Sequence, residues 1–159
     1  MQPFVSYATN TGQTTHLASG NDIAVYPFTV PFKMDVRALC AFIGVGDGSN
    51  NSDIGIYDVN GTLLGHIGAQ KIGTAAAQSF GILDGPIILE PGTYLFAFTS
   101  EDVTLAWAVG SPAYPISLYS TNSVSSGGEL PASIDVLSEI GEDITAAPHQ
   151  GYPPVMILR

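Results

Sequence analysis

The side chains in this sequence that could do chemistry are few and widely spaced. The three histidines stand at positions 16, 66 and 149, so no two of them have the short spacing of a zinc-binding motif. Cys40 is the single cysteine and lies in an apolar run without a histidine nearby, which predicts a buried thiol. The sequence also lacks a phosphate-binding loop and a nucleophile elbow. A hydrolase that acts through paired carboxylates is the least supported of the functions considered. We expect no enzymatic activity, no catalytic residue and no cofactor.

One short stretch carries the oxygen-bearing side chains that calcium prefers. It offers Asp47, Asn50 and Asp53 as possible ligands within seven positions. The spacing differs from that of an EF-hand, and clusters of Gly, Asn, Ser and Asp are typical of surface turns. We therefore interpret residues 47–53 as a turn, with a metal site as the weaker alternative.

The charge balance restricts the kind of partner. Four Lys and Arg residues stand against 14 Asp and Glu residues, giving a net charge of −10. Nucleic acid binding needs a basic surface, so we expect no nucleic acid partner, and anionic membranes are disfavoured for the same reason. Residues 1–20 lack a basic start followed by an apolar run, so we expect no export signal and synthesis in the cytoplasm.

Two turn signals flanked by apolar strands organise the middle of the chain. Asn60-Gly61 predicts a type I′ turn in a hairpin over residues 54–67. Pro91-Gly92 predicts a second hairpin over residues 86–99, with aromatic side chains on one face of its second strand. The stretch therefore predicts antiparallel β-structure.

Further alternating segments extend this pattern to about eight strands; they are residues 23–32, 34–45, 103–109, 116–120 and the C-terminal end. Short strands with regularly spaced turns are typical of a sandwich or barrel. We predict one all-β domain: an N-terminal arm (1–22), a β-sandwich core (23–120), and a last part (121–159) that completes the same domain. That last part contains a flexible Ser/Gly linker at 123–128, an irregular acidic segment and a C-terminal strand.

Strand alternation also predicts whether two side chains with a conceivable functional role are buried or exposed. Trp107 shares its parity with Leu105 and Val109, which predicts a core tryptophan in preference to a sugar-stacking platform. His66 falls opposite the apolar positions of its strand, which predicts a surface residue.

Several predicted strands have a second face of small side chains where a solvated face would be polar. Its members are Ala41, Gly44, Gly55, Ala97, Ala106 and Ala108. Such a face packs closely, so we expect it to contact another subunit.

Four strings in the sequence carry a resemblance to a known family. They are Gly55-Ile56-Tyr57-Asp58-x-Asn60-Gly61, Leu89-x-Pro91-Gly92-Thr93-Tyr94-Leu95-x-Ala97, Leu130-Pro131-Ala132-Ser133 and Pro153-Pro154-x-Met156-Ile157-x-Arg159. Over residues 23–159 the chain resembles the jelly-roll sandwiches of virion proteins of tailed bacteriophages, which include head decoration proteins and appendage modules.

The resemblance implies a non-enzymatic role in the virion. A single domain with two arms favours a decoration (cement) protein on the capsid surface, bound to the major capsid protein and self-associated as a homotrimer. The apolar residues of both arms are then the expected contacts; they are Pro3, Phe4, Tyr7, Tyr152, Val155 and Ile157. The alternative is a carbohydrate- or receptor-binding sandwich module of a tail or surface appendage.

Overall fold

The computed structural model describes residues 10–15, 20–110, 119–136 and 155–158. Only the backbone is described for residues 10–15, 26, 42, 107–110, 119–124 and 155–158. In these parts of the chain no helix has the length and apolar character needed to cross a membrane.

The described residues form thirteen strands, which is more than the eight or so that we predicted. They are β1 (Asn10–Thr15), β2 (Asp22–Val30), β3 (Met34–Val36), β4 (Ala38–Val45), β5 (Asp47–Tyr57), β6 (Leu63–His66), β7 (Gln70–Ile72), β8 (Ala77–Gly81), β9 (Ile87–Leu89), β10 (Gly92–Ser100), β11 (Ala106–Gly110), β12 (Tyr119–Val124) and β13 (Val155–Leu158). Part of the excess comes from the predicted strand at residues 34–45, which is divided at Arg37 into β3 and β4. The rest comes from β1, in the predicted N-terminal arm, and from β7 and β8, where we predicted no strand.

All pairings are antiparallel, which confirms the predicted all-β class. The first sheet has the order β1-β11-β4-β13, with β8 also paired to β4. The second has the order β12-β2-β10-β5-β6, with β7 also paired to β5. We call them the β4 sheet and the β10 sheet; β3 and β9 form a separate ribbon. Part of the predicted N-terminal arm is thus strand β1 of the β4 sheet.

The two sheets face each other across one hydrophobic core, as in a β-sandwich. Leu39, Ala41 and Ile43 of the β4 sheet pack into the same cluster as Ile56 and Phe96 of the β10 sheet. We call this cluster the inner core. Strand alternation places apolar side chains from both sheets toward it, which is the arrangement that excludes most water.

A second cluster lies on the other face of the β10 sheet, and we call it the outer core. The sheet contributes Ile23, Val25, Tyr57, Leu95 and Ala97, and residues 130–136 contribute Leu130, Ile134 and Val136. We name residues 125–136 the covering segment. The sequence predicted a flexible linker over residues 123–128; this is wrong, because Ser125 is buried and Gly128 lies against the Asn51 carbonyl.

Both predicted turns differ from the observed ones. At Asn60-Gly61 only Gly61 has a positive φ, of 83°, whereas a type I′ turn needs two. Gly61 N–H donates to the Asp58 carbonyl and Asp58 N–H donates to the Thr62 carbonyl, so a type I turn with a glycine bulge closes the hairpin. Pro91-Gly92 does not close a hairpin at all, because β9 pairs with β3 and β10 pairs with β2 and β5.

Candidate functional site

Most of the predicted interface residues lie outside the described part of the chain. These are Pro3, Phe4, Tyr7 and Tyr152. Val155 and Ile157 belong to β13, where their backbones pair with Ala41 and Leu39 of β4. The last strand is therefore built into the β4 sheet.

The oxygen-rich stretch at residues 47–53 is part of strand β5, so the predicted turn is wrong there. Asp47 Oδ1 accepts from Ser49 N–H at 2.8 Å, and its Oδ2 accepts from the Asn50 amide at 2.8 Å. The Asn50 amide and the Ser49 N–H hold the pKa of Asp47 below its usual value. Asp53 lies farther along β5 with different partners. Among the described residues no group of three or more His, Cys, Asp or Glu side chains is placed to hold a metal ion.

The most unusual polar feature is a buried hydrogen-bonded pair of side chains, Asp53 and His66. The Asp53 side chain is fully buried and that of His66 is 13% exposed. His66 Nδ1 lies 2.6 Å from Asp53 Oδ2, across the β5–β6 hairpin. The prediction that His66 is a surface residue is therefore wrong. Its strand position was assigned correctly, but the face on which it lies is covered by the chain itself.

Asp53 accepts from two backbone groups as well. Ile54 N–H donates to its Oδ1 at 2.8 Å, and Leu130 N–H donates to its Oδ2 at 3.0 Å. Burial raises the pKa of Asp53, although its hydrogen bonds to His66 and Leu130 act in the opposite direction. Burial, with the nearby charge of Asp53, also raises the pKa of Tyr57. A charged carboxylate at this position therefore has a desolvation cost, and the hydrogen-bond donors to both oxygens of Asp53 offset part of that cost.

The covering segment is attached by further hydrogen bonds on both sides of Asp53. Tyr57 Oη donates to the Pro131 carbonyl at 2.7 Å. Ser125 N–H donates to the Asn21 carbonyl, and Gly128 N–H donates to Asn21 Oδ1. Thr99 Oγ1 lies 2.7 Å from Ser125 Oγ. These contacts join residues far apart in sequence, so periodicity within one segment gives no sign of them.

Two glycines of the hairpin let the covering segment lie close to the sheet. A Cβ on Gly55 would stand 2.8 Å from Leu130 Cδ1, and one on Gly61 would stand 2.0 Å from the Ile134 carbonyl oxygen. Gly55 and Ala97 belong to the small-residue face that we expected to meet another subunit. That expectation is wrong for these two residues, because the covering segment of the same chain fills the space.

The chemistry open to this cluster follows from its contacts. A carboxylate beside an imidazole can orient a catalytic histidine when a nucleophile lies on the other ring nitrogen. Among the described hydroxyls, Thr99 bonds to Ser125 and to the Asp22 carbonyl, and Ser52 bonds to Ser100. None of these hydroxyls is placed against His66, and Cys40 belongs to the other sheet. What the contacts do show is that Asp53 of this pair accepts from Leu130 N–H and so attaches the covering segment to the sheet.

Comparison with known proteins gave no match to a family model, to a curated protein or to a solved structure.

Proposed function

We propose that this chain is a non-enzymatic structural protein of a phage head. In this proposal it is a jelly-roll decoration protein that binds the outer capsid surface and stabilises contacts between major capsid subunits. One observation carries the proposal: three of the strings behind the family resemblance meet in space. Leu95 pairs with Tyr57 and Ala97 pairs with Gly55, while Pro131 accepts the hydrogen bond from Tyr57. The strings thus form one structural unit.

The placement of strands β1 and β13 supports a role in bearing load. β1 and β13 are both strands of the β4 sheet, and the expected contact residues of each arm lie in or next to these strands in sequence. Force applied to either arm is therefore passed to hydrogen-bonded strands. At about 25 cal/mol per Å², a few hundred Å² of apolar contact contributes several kcal/mol before the cost of ordering.

The test uses the N-terminal arm without disturbing β1. Residues 2–9 precede β1, so their side chains can be changed while Asn10–Thr15 is kept. At protein concentrations far below saturation we expect Phe4→Ala with Tyr7→Ala to lower the number of copies per head by about tenfold, which corresponds to about 1.4 kcal/mol of binding free energy. The matched control is Gln2→Ala with Ser6→Ala, which shortens polar side chains of the same arm.

The measurement is the number of copies on purified heads of the virus that encodes the chain, after addition of each protein at equal concentration. Equal occupancy by the apolar and control variants would remove the arm from the mechanism. Failure of the wild-type protein to bind heads would refute the decoration role. The alternative of a sugar- or receptor-binding module gains no support from the oxygen-rich stretch, where Asp47 is bonded to its own chain.

A further inference from the structure

Strand β8 has one edge that faces none of the described strands. It pairs with β4 over five consecutive positions, from Ala38 with Gly81 to Phe42 with Ala77, without a bulge. No other described strand pairs with it. An edge of this kind presents unpaired backbone donors and acceptors to any strand that approaches.

The pairing with β4 shows which residues point their backbone groups outward. Ile43 N–H donates to the Ala76 carbonyl, so Ala76 faces β4. Backbone groups alternate between the two edges of an antiparallel strand, so Gln78 and Phe80 also face β4. The N–H and C=O groups of Ala77, Ser79 and Gly81 therefore point away from the sheet. The side chains of Ala77 and Ser79 are exposed, and so is Gly81.

This edge lacks the features that normally prevent strands from pairing between molecules. Lys, Pro, charged side chains and bulges serve that purpose in natural sheets. Residues 73–83 contain no charged residue and no proline. The β3–β9 ribbon is different, because it displays the ion pairs Lys33–Glu90 and Arg37–Asp35. A Cβ placed on Gly81 would meet nothing within 4 Å, so the face of the strand at this position is open among the described residues.

We infer that this edge is a self-association site, where β8 pairs antiparallel with β8 of a second copy about Ser79. Two copies that each carry a net charge of −10 repel each other, and an uncharged edge lets their backbones approach with least repulsion. The twofold arrangement sets Ser79 against Ser79 of the second copy and Ala77 against its Gly81. These small side chains leave room for the pairing, which is isologous and gives a dimer. The inference does not depend on the proposed function, and the dimer differs from the homotrimer that the family resemblance implies.

The test is sedimentation equilibrium of the purified full chain over a range that reaches about 0.5 mM, because a five-residue strand pair is a small interface. We expect a reversible dimer. Ser79→Pro removes an outward N–H while the ladder to β4 keeps all its donors, and Ser79→Glu places two carboxylates opposite each other. Each should weaken dimerisation by about tenfold or more. Ser79→Ala keeps the backbone donor and should associate like the wild type.

Three results would overturn the inference. They are a monomer at the highest concentration, a trimeric mass, and a dimer that neither Ser79→Pro nor Ser79→Glu weakens. Thermal unfolding of each variant at low concentration checks that the monomer is intact. A variant that fails to fold is replaced by Ala77→Glu, which acts on the same edge one pair away from the twofold axis.

Discussion

Replacing Asp53 by asparagine tests whether the buried carboxylate holds the covering segment. The carboxylate uses both oxygens: Oδ1 accepts from Ile54 N–H, and Oδ2 accepts from Leu130 N–H and lies against His66. Asparagine keeps one oxygen and replaces the other with a donor. Whichever way the amide is turned, one backbone N–H faces an NH2 group and loses its acceptor.

The size of the effect follows from that single unpaired group. A buried donor without a partner costs about 1–3 kcal/mol, and removal of a buried charge offsets part of this. We expect Asp53→Asn to lower the free energy of unfolding by about 2 kcal/mol. In a domain of this size that corresponds to a fall in Tm of about 4–8 °C. Urea denaturation followed by circular dichroism measures the free energy of unfolding.

Asp58→Asn is the matched control, because both backbone donors to Asp58 use the same oxygen. Asn60 N–H and Thr62 N–H each lie 2.9 Å from Asp58 Oδ1, so asparagine can retain both bonds. We expect a loss below about 0.5 kcal/mol for this variant. Hydrogen exchange adds a local readout: the Leu130 amide should exchange faster in Asp53→Asn and unchanged in Asp58→Asn. Equal stability of the two variants would refute the role assigned to Asp53.

Three further predictions concern the same face of the β10 sheet. Burial raises the folded-state pKa of Asp53, so the folded chain binds this proton more tightly than the unfolded chain. The contribution of Asp53 to stability should therefore grow as pH falls through the raised pKa. In urea titrations the difference in free energy of unfolding between wild type and Asp53→Asn should be larger at about pH 4.5 than at pH 7. Tyr57→Phe should cost about 1 kcal/mol, and it should leave the absorbance titration unchanged below the alkaline unfolding transition, because the raised pKa keeps the Tyr57 phenol protonated in the folded chain. Gly55→Ala should lower the stability measured by thermal unfolding by about 1–3 kcal/mol, because the new methyl group meets Leu130. Gly81→Ala, where a Cβ has free space, should be neutral or stabilising. Equal Tm values for the two variants would contradict the close packing described.

Alternation along β10 was predictable because both of its faces follow a strict period of two. Phe96 and Phe98 enter the inner core, while Leu95 and Ala97 enter the outer core, as the sequence indicates. A two-residue turn at Asn60-Gly61 would pair Gly55 with His66, and this is the observed pairing. The bulge at the turn absorbs the difference between the predicted and the observed turn, so the error in turn type did not move the hairpin strands.

The covering segment was not predictable by the same means. Its composition, with Ser125, Ser126, Gly127 and Gly128, is that of a linker, and its three apolar anchors show no strand alternation that continues outside the segment. What fixes it is non-local: Asn21, Asp53 and Tyr57 supply its partners across 74 or more positions. A cue lay in the sheet itself, where Asp53 shares a face with Gly55 and Tyr57. A buried-looking face that contains a carboxylate needs donors from elsewhere in the chain.

The contacts of Asp53 and the proposed attachment to the capsid involve different sheets of the domain. The covering segment lies on the outer face of the β10 sheet, whereas β1 and β13 belong to the β4 sheet. Changes at sites without shared partners add. We therefore expect Asp53→Asn to lower the free energy of unfolding without changing head occupancy at a temperature where the variant is folded. Phe4→Ala with Tyr7→Ala should lower head occupancy without changing the free energy of unfolding. The combined variant should show the sum of both effects. Non-additive occupancy would mean that the covering segment contributes to the contact with the capsid.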